Sequence, residues 1–136
     1  MTNQESQCFS IPVRVYIEDT DAGGIVFYAN YLKFMERART EYIRSLGIEL
    51  RAGMKQNISY VVHSLEIKYQ KPAKLDDLVT VTANISKLGK TYMVFEQRVI
   101  DENGGVLVVA EVKVVCVALE SGKPRVMDSR LINALS

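Results

Sequence analysis

Asp19 and Asp21 stand two residues apart in Glu18-Asp19-Thr20-Asp21-Ala22-Gly23-Gly24, just ahead of Ile25-Val26-Phe27-Tyr28, where the chain's long helical pattern begins. A helix start carries backbone N–H groups without intrahelical partners, and the macrodipole adds partial positive charge there. Aspartate side chains, with a reference pKa of about 3.9, are ionised at neutral pH. A carboxylate and free amides brought to one place suit attack on a polarised carbonyl. The amides stabilise the developing oxyanion, and the carboxylate attacks directly or deprotonates water. Loss of one such amide donor typically costs roughly 3–4 kcal/mol of transition-state stabilisation. The residues do not choose between the two routes.

Both aspartates also fit a plainer role, capping backbone N–H groups in the turn before the helix. Gly23 and Gly24 read as turn residues that would also let backbone approach a ligand closely. Glu36 is a rival base, although two turns inside the helix it reads as an ion-pair partner of Arg39 or Lys33. His63 is the single histidine. It alternates with Val61, Leu65 and Ile67, the pattern of a half-buried strand position. No Gly-x-Ser-x-Gly elbow exists to complete a triad, no Walker loop is present, and the histidine with two distant cysteines makes too few ligands for a metal. The expectation is therefore no metal and no cofactor.

The elements that must position these groups follow from hydrophobic period. Alternating Ile11, Val13, Val15 and Ile17 predict a strand up to the acidic turn, after a loose lead-in over residues 1–10. From Tyr28 to Leu46, apolar residues at Tyr28, Tyr31, Leu32, Met35, Ala38, Tyr42, Ile43 and Leu46 predict one helix with a single buried stripe, and Gly47 fits a left-handed cap. A loop is expected over Arg51–Asn57. Strands are then predicted over Ile58–Tyr69 (closed by Lys71-Pro72), Leu78–Leu88, Thr91–Ile100 and Val106–Leu119. The turns are Leu88-Gly89-Lys90 and Asp101-Glu102-Asn103-Gly104-Gly105. Short connections imply antiparallel pairing, and one long helix against one sheet makes an α+β layer fold. Tyr92, Val94, Val109, Val115 and Val117 give the sheet a second apolar face, which predicts a homodimer or homotetramer.

The whole chain sets bounds on function. Its 136 residues suit one domain, taken as residues 11–136, with 48% hydrophobic and 24% charged residues. A formal net charge of +1 provides no global field to recruit nucleic acid or a membrane surface. The polar N-terminus lacks a signal-peptide pattern, no apolar run is long enough to span a bilayer, and Cys8 and Cys116 read as reduced thiols. The expected location is cytoplasmic.

Glu18-Asp-Thr-Asp-Ala-Gly-Gly-Ile-Val-Phe-Tyr-Ala-Asn-Tyr31, Phe34-Met-Glu-Arg-Ala-Arg-Thr-Glu41, Pro72-Ala-Lys-Leu-Asp-Asp77 and Ala110-Glu-Val-Lys-Val-Val-Cys-Val117 together resemble the hot-dog-fold acyl-CoA thioesterases. The branch is that of the 4-hydroxybenzoyl-CoA thioesterases, and more closely the Tol-Pal-associated enzymes. The resemblance implies a five-stranded antiparallel sheet wrapped around the helix, subunits joined edge to edge, and active sites at the subunit boundary. It also implies Asp21 as the essential carboxylate and the helix-start N–H of Tyr28 as the carbonyl polariser. Tyr28-Ala29-Asn30-Tyr31 is similar to the Tyr-Pro-Asn-Tyr of the hydroxybenzoyl branch, whereas Tol-Pal-associated members often carry His at the position of Tyr28. Gly24, Ile25, Val26 and Tyr31 would line the substrate site, with Lys87 and Lys90 among the lysines expected near coenzyme A phosphates. The alternative is a non-catalytic acyl-binding or scaffold protein that engages acyl carrier protein or phospholipid-synthesis enzymes. A hot-dog dehydratase is disfavoured, because His63 has no motif around it.

Overall fold

The computed structural model describes residues 8–136. The expected lead-in over residues 1–10 lies outside this range up to residue 7. Phe9 and Ser10 already belong to strand β1 (Phe9–Arg14). That strand stops three residues short of the predicted Ile17. Val15 leaves the ladder to exchange bonds with the loop before β3, donating to the Asp77 carbonyl at 2.9 Å and accepting from the Asp76 N–H at 3.0 Å. The chain then tightens into a 3₁₀ turn over Ile17–Asp19, which leaves Ile17 75% exposed. The cause is local: the Asp19 carboxylate accepts from the Tyr16 N–H at 2.9 Å and competes with strand pairing.

Helix α1 (Asn30–Ser45) buries Tyr31, Phe34, Met35, Ala38 and Ile43. It begins two residues later than expected, so Tyr28 and Leu32 stay exposed outside the stripe, while Phe34 is fully buried within it. Extended pairing holds the backbone through Phe27, whose N–H donates to the Asp19 carbonyl at 2.9 Å. The far end follows expectation. Gly47 adopts φ +83° and donates to the Arg44 carbonyl at 2.9 Å, a left-handed cap that a Cβ would disfavour. A short helix α2 (Leu50–Met54) occupies the first half of the expected loop.

The remaining strands are β2 (Ile58–Tyr69), β3 (Leu78–Leu88), β4 (Tyr92–Ile100) and β5 (Val106–Ala118). A C-terminal helix α3 (Ser129–Leu135) follows, with Asp128 capping it by accepting from the Arg130 N–H at 2.8 Å. All strand pairs are antiparallel and the order is β1-β3-β4-β5-β2. The helix-facing side carries Val79, Val81, Ala83, Phe95, Val99, Val108 and Val112, all buried against α1 and one another. Such a helix held in a curved antiparallel sheet is the hot-dog architecture.

One buried polar clamp ties helix to sheet. The Gln97 side chain is fully buried; its Nε2 donates to the carbonyls of Met35 and Thr82, each at 3.0 Å, and its Oε1 accepts from Arg39 Nη1 at 2.9 Å. Among the described residues no close ion pair joins Glu36 to Arg39 or Lys33, the expectation from the sequence, although the Glu36 charge still acts on Arg39. His63 also departs from expectation. It sits exposed at a bulge between Val62 and Ser64, where the β2–β5 register shifts. Among the strands, large exposed apolar side chains lie on the edge strand β2, at Val61, Val62, Leu65 and Tyr69, whereas Val115 and Val117 of β5 are each only 9% exposed.

Candidate active site

The acidic segment folds back on itself as a short antiparallel ladder. Thr20 pairs with Val26, the Asp21 N–H donates to the Ile25 carbonyl at 2.9 Å, and the Gly24 N–H closes the turn onto the Asp21 carbonyl at 3.1 Å. Gly24 holds φ +79°, a conformation that residues with a Cβ rarely adopt. On the other side this segment pairs with the loop after β2. Ile25 bridges Lys74, the Val26 N–H donates to the Ala73 carbonyl at 2.9 Å, and Leu75 donates to the Gly24 carbonyl at 3.0 Å. Residues 24–27 are thus the middle of a three-segment patch that hands the chain directly into α1.

Asp19 and Asp21 have separate tasks. Asp19 is buried and committed to backbone: its carboxylate holds Tyr16, and its carbonyl accepts both the Phe27 N–H and the Asn30 side-chain amide, each at 2.9 Å. Asp21 is exposed, and its Oδ1 accepts from the Gly23 N–H at 2.8 Å. Among the described residues, Oδ2 of Asp21 makes no hydrogen bond.

The entry to α1 is uncapped. Its N-cap residue is Ala29, which has no side chain able to accept from the first-turn amides. Among the described residues, no group accepts from the N–H of Tyr28 or Ala29. Tyr28 therefore precedes α1 by two residues rather than opening it, yet its amide is free in the sense the sequence expected. Asp21 lies opposite Ile25, two ladder positions (roughly 7 Å) from the Asp19–Phe27 pair that immediately precedes Tyr28.

A cleft of about 270 Å³ opens beside this patch, lined by Ile25, Val26, Tyr28, Tyr31, Tyr69, Gln70, Lys71 and Pro72. Its wall is aromatic. Tyr69 meets the Tyr28 ring edge-on at 6.2 Å and the Tyr31 ring at 5.7 Å, and Phe27 packs on Tyr28 at 4.8 Å. Tyr31 forms the buried floor, and its hydroxyl oxygen accepts from the Ala73 N–H at 3.0 Å, fixing α1 to the loop that pairs with Val26. Burial pushes the Tyr31 phenol up from its ordinary value, more than the bond from Ala73 pulls it down. Burial also raises the Tyr69 phenol, helped by Tyr28, so it remains protonated and able to donate at neutral pH. The Tyr69 hydroxyl donates to the Tyr28 carbonyl at 3.2 Å.

The structure brings Asp21, Gly24, Ile25, Val26, Tyr28 and Tyr31 into one region. It does not bring Lys87 and Lys90 there within a single chain. They lie at the β3–β4 turn, whereas Leu78, at the opposite end of β3 and roughly 30 Å away, pairs with Arg14 beside the site. The lysine at the cleft is Lys71. Glu36 opens instead onto a separate cavity of about 320 Å³ between α1 and β2, with Arg39, Tyr60 and Phe95. Tyr69 was missed in the sequence because its own strand pattern says only that β2 ends there. Its approach to Tyr28 depends on the long-range pairing of residues 24–26 with 73–75.

Comparison with known proteins gives the family. Residues 23–108 match the thioesterase superfamily. The chain belongs to that superfamily. Among the relatives of this thioesterase-superfamily chain, the acyl-CoA thioesterase YbgC of Haemophilus influenzae is 49% identical over 117 residues, covering 85% of each chain. The acyl-CoA thioester hydrolase YbgC of Escherichia coli O157:H7 is 41% identical over 124 residues, 91% of this chain and 92% of that one. A solved structure of a probable thioesterase from Bartonella henselae superposes with TM-score 0.79 at 34% identity, covering 89% of this chain and 98% of the other. The chain is thus a thioester hydrolase by family, on the hot-dog fold that its strand order displays.

Proposed function

We propose that the protein hydrolyses the thioester of an acyl-CoA, releasing a free acid and coenzyme A, with Asp21 and the Tyr28 amide as its working groups. The reading is supported most by one observation: uncapped amides and an exposed carboxylate stand at the two ends of one short ladder that borders an apolar cleft. A thioester carbonyl is already activated, because sulfur donates electrons poorly into it. The Tyr28 N–H, reinforced by the dipole of α1, receives the oxygen as it becomes negative. In one route Asp21 Oδ2 attacks the acyl carbon, the carbon–sulfur bond breaks, and water then cleaves the resulting mixed anhydride to the free acid and restores the carboxylate. In the other Asp21 takes a proton from water as that water attacks and the carbon–sulfur bond breaks. In both the departing thiolate is protonated as free coenzyme A. Backbone at Gly24, Ile25 and Val26 shapes the approach, and the Tyr28 and Tyr31 rings border the acyl group. Lys71 at the rim replaces Lys87 and Lys90 as the nearest cation for the phosphates of the coenzyme.

The edge strand β2, 12 residues long with exposed apolar side chains, supports pairing with a second copy. The two YbgC relatives, named for acyl-CoA, support the substrate class. Thiol release measured over a panel of aliphatic and aromatic acyl-CoAs tests the proposal. Release from at least one member is expected, and no release from any would return the chain to the scaffold reading.

A further inference from the structure

The Tyr69 hydroxyl is an unusual donor for its place. It sits at the last residue of β2, yet its hydrogen bond goes 41 residues back, to the Tyr28 carbonyl, at 3.2 Å. That carbonyl and the N–H of Ala29 belong to one planar peptide unit. Holding the oxygen therefore fixes the plane in which the Ala29 N–H points, and polarising it makes that N–H a better donor. The neighbouring Tyr28 N–H belongs to the preceding peptide, whose Phe27 carbonyl accepts from the Asn30 N–H at 2.8 Å, and one peptide further back the Phe27 N–H is anchored to the Asp19 carbonyl across the ladder at 2.9 Å. The peptide of the Ala29 amide is thus braced from outside the helix by a phenol from the sheet, and the peptide of the Tyr28 amide by the first turn itself, just beyond the residue that the acidic ladder anchors.

We infer that Tyr69 is a positioning residue for thioester hydrolysis, orienting the Tyr28–Ala29 peptide so that two successive N–H groups face the developing oxyanion. This rests on the proposed function, since it assumes that the Tyr28 amide polarises the substrate. Tyr69 contributes in a second way that must be kept separate. Its ring packs edge-on to Tyr28 and against Tyr31, forming the cleft wall. The hydroxyl acts on peptide orientation and hence on the chemical step, whereas the ring acts on binding. The alkaline-shifted phenol stays protonated across the neutral range, so its donation does not switch with pH there.

The test is steady-state hydrolysis of an acyl-CoA by the full chain and by Tyr69→Phe, Tyr69→Leu and Asp21→Asn, each checked for an unchanged oligomeric state and thermal melt. Tyr69→Phe keeps the wall and removes only the hydroxyl. It should lower kcat roughly fivefold with KM within about twofold of the parent. Tyr69→Leu should add a rise in KM. Unchanged kcat in Tyr69→Phe, or a rise in KM alone, would overturn the positioning role while an inactive Asp21→Asn left the proposed function standing. Normal turnover by Asp21→Asn would overturn both.

Discussion

Asp21 Oδ1 accepts from the Gly23 N–H at 2.8 Å, so the exposed carboxylate proposed for the chemistry also closes its own turn. One oxygen is committed to structure, and the second has no protein partner among the described residues. The division separates two substitutions. Asp21→Ala removes the turn bond as well as the reactive oxygen, and should cost about 1 kcal/mol of stability. Asp21→Asn keeps an acceptor at Oδ1 and should melt like the parent. Thermal unfolding of the two variants measured side by side checks this, and an equal loss in both would mean that charge rather than acceptance holds the turn.

Gln97 is the point at which α1 is fastened to the sheet. Replacing it with Leu would fill the space but leave the Met35 and Thr82 carbonyls and the half-buried Arg39 without its bonds. Burial already pulls Arg39 below its ordinary pKa, so an unpartnered guanidinium there is costly. The expected loss is roughly 2–4 kcal/mol, read from denaturant midpoints at constant slope. A change under about 0.5 kcal/mol would show that the clamp is replaceable by packing alone.

Alkaline stability should report on Tyr60. Burial, with a smaller contribution from Cys116, pushes its phenol from the usual 10 up to about 12. Between those values the folded chain keeps a proton that the unfolded chain has released. Stability from this group is therefore fully present below about pH 10 and declines as pH rises toward 12. Tyr60→Phe should make the fall of the melting temperature over that window shallower, although the raised Tyr31, Tyr42 and Tyr69 phenols keep some slope. An identical slope in parent and variant would contradict the assignment.

The β2 edge should govern assembly. Leu65 is 40% exposed on a strand whose outer edge is unpaired in the single chain, and Lys at that position places a charge where a second sheet would pair. Light scattering after size exclusion should show Leu65→Lys shifted toward monomer, with hydrolysis falling in parallel because the family site is expected at the subunit boundary. A variant that keeps the parent mass would place the interface elsewhere.

Much of this was legible in the sequence where the signal is local. The alternation in β3 and β5, the turn at Asn103-Gly104-Gly105 and the Gly47 cap each depend on neighbours a few residues away, and the structure reproduces them. The entry to α1 was misjudged by two residues because the periodicity that includes Tyr28 is outweighed by a ladder bond from Phe27 to Asp19. The strand was extended to Ile17 for a similar reason: Val15 and Ile17 keep the alternation, while the Asp19 carboxylate captures Tyr16 and bends the chain. In the site, Asp21 and Tyr28 stood out because both lie on one continuous segment. Tyr69 and Lys71 reach it only through the pairing of residues 24–26 with 73–75, and no spacing rule announces a contact between segments so far apart. Lys87 and Lys90 lie near a turn that a single chain places at the other end of β3.

The central claim is that the Asp21 carboxylate performs the chemical step on a thioester held against the Tyr28 amide. The most direct measurement is acyl-CoA turnover by Asp21→Asn, alongside its affinity for the same acyl-CoA. The account predicts a fall in kcat of at least about a hundredfold, with binding affinity within about threefold of the parent. A folded Asn variant that turns over at close to the parent rate would contradict it.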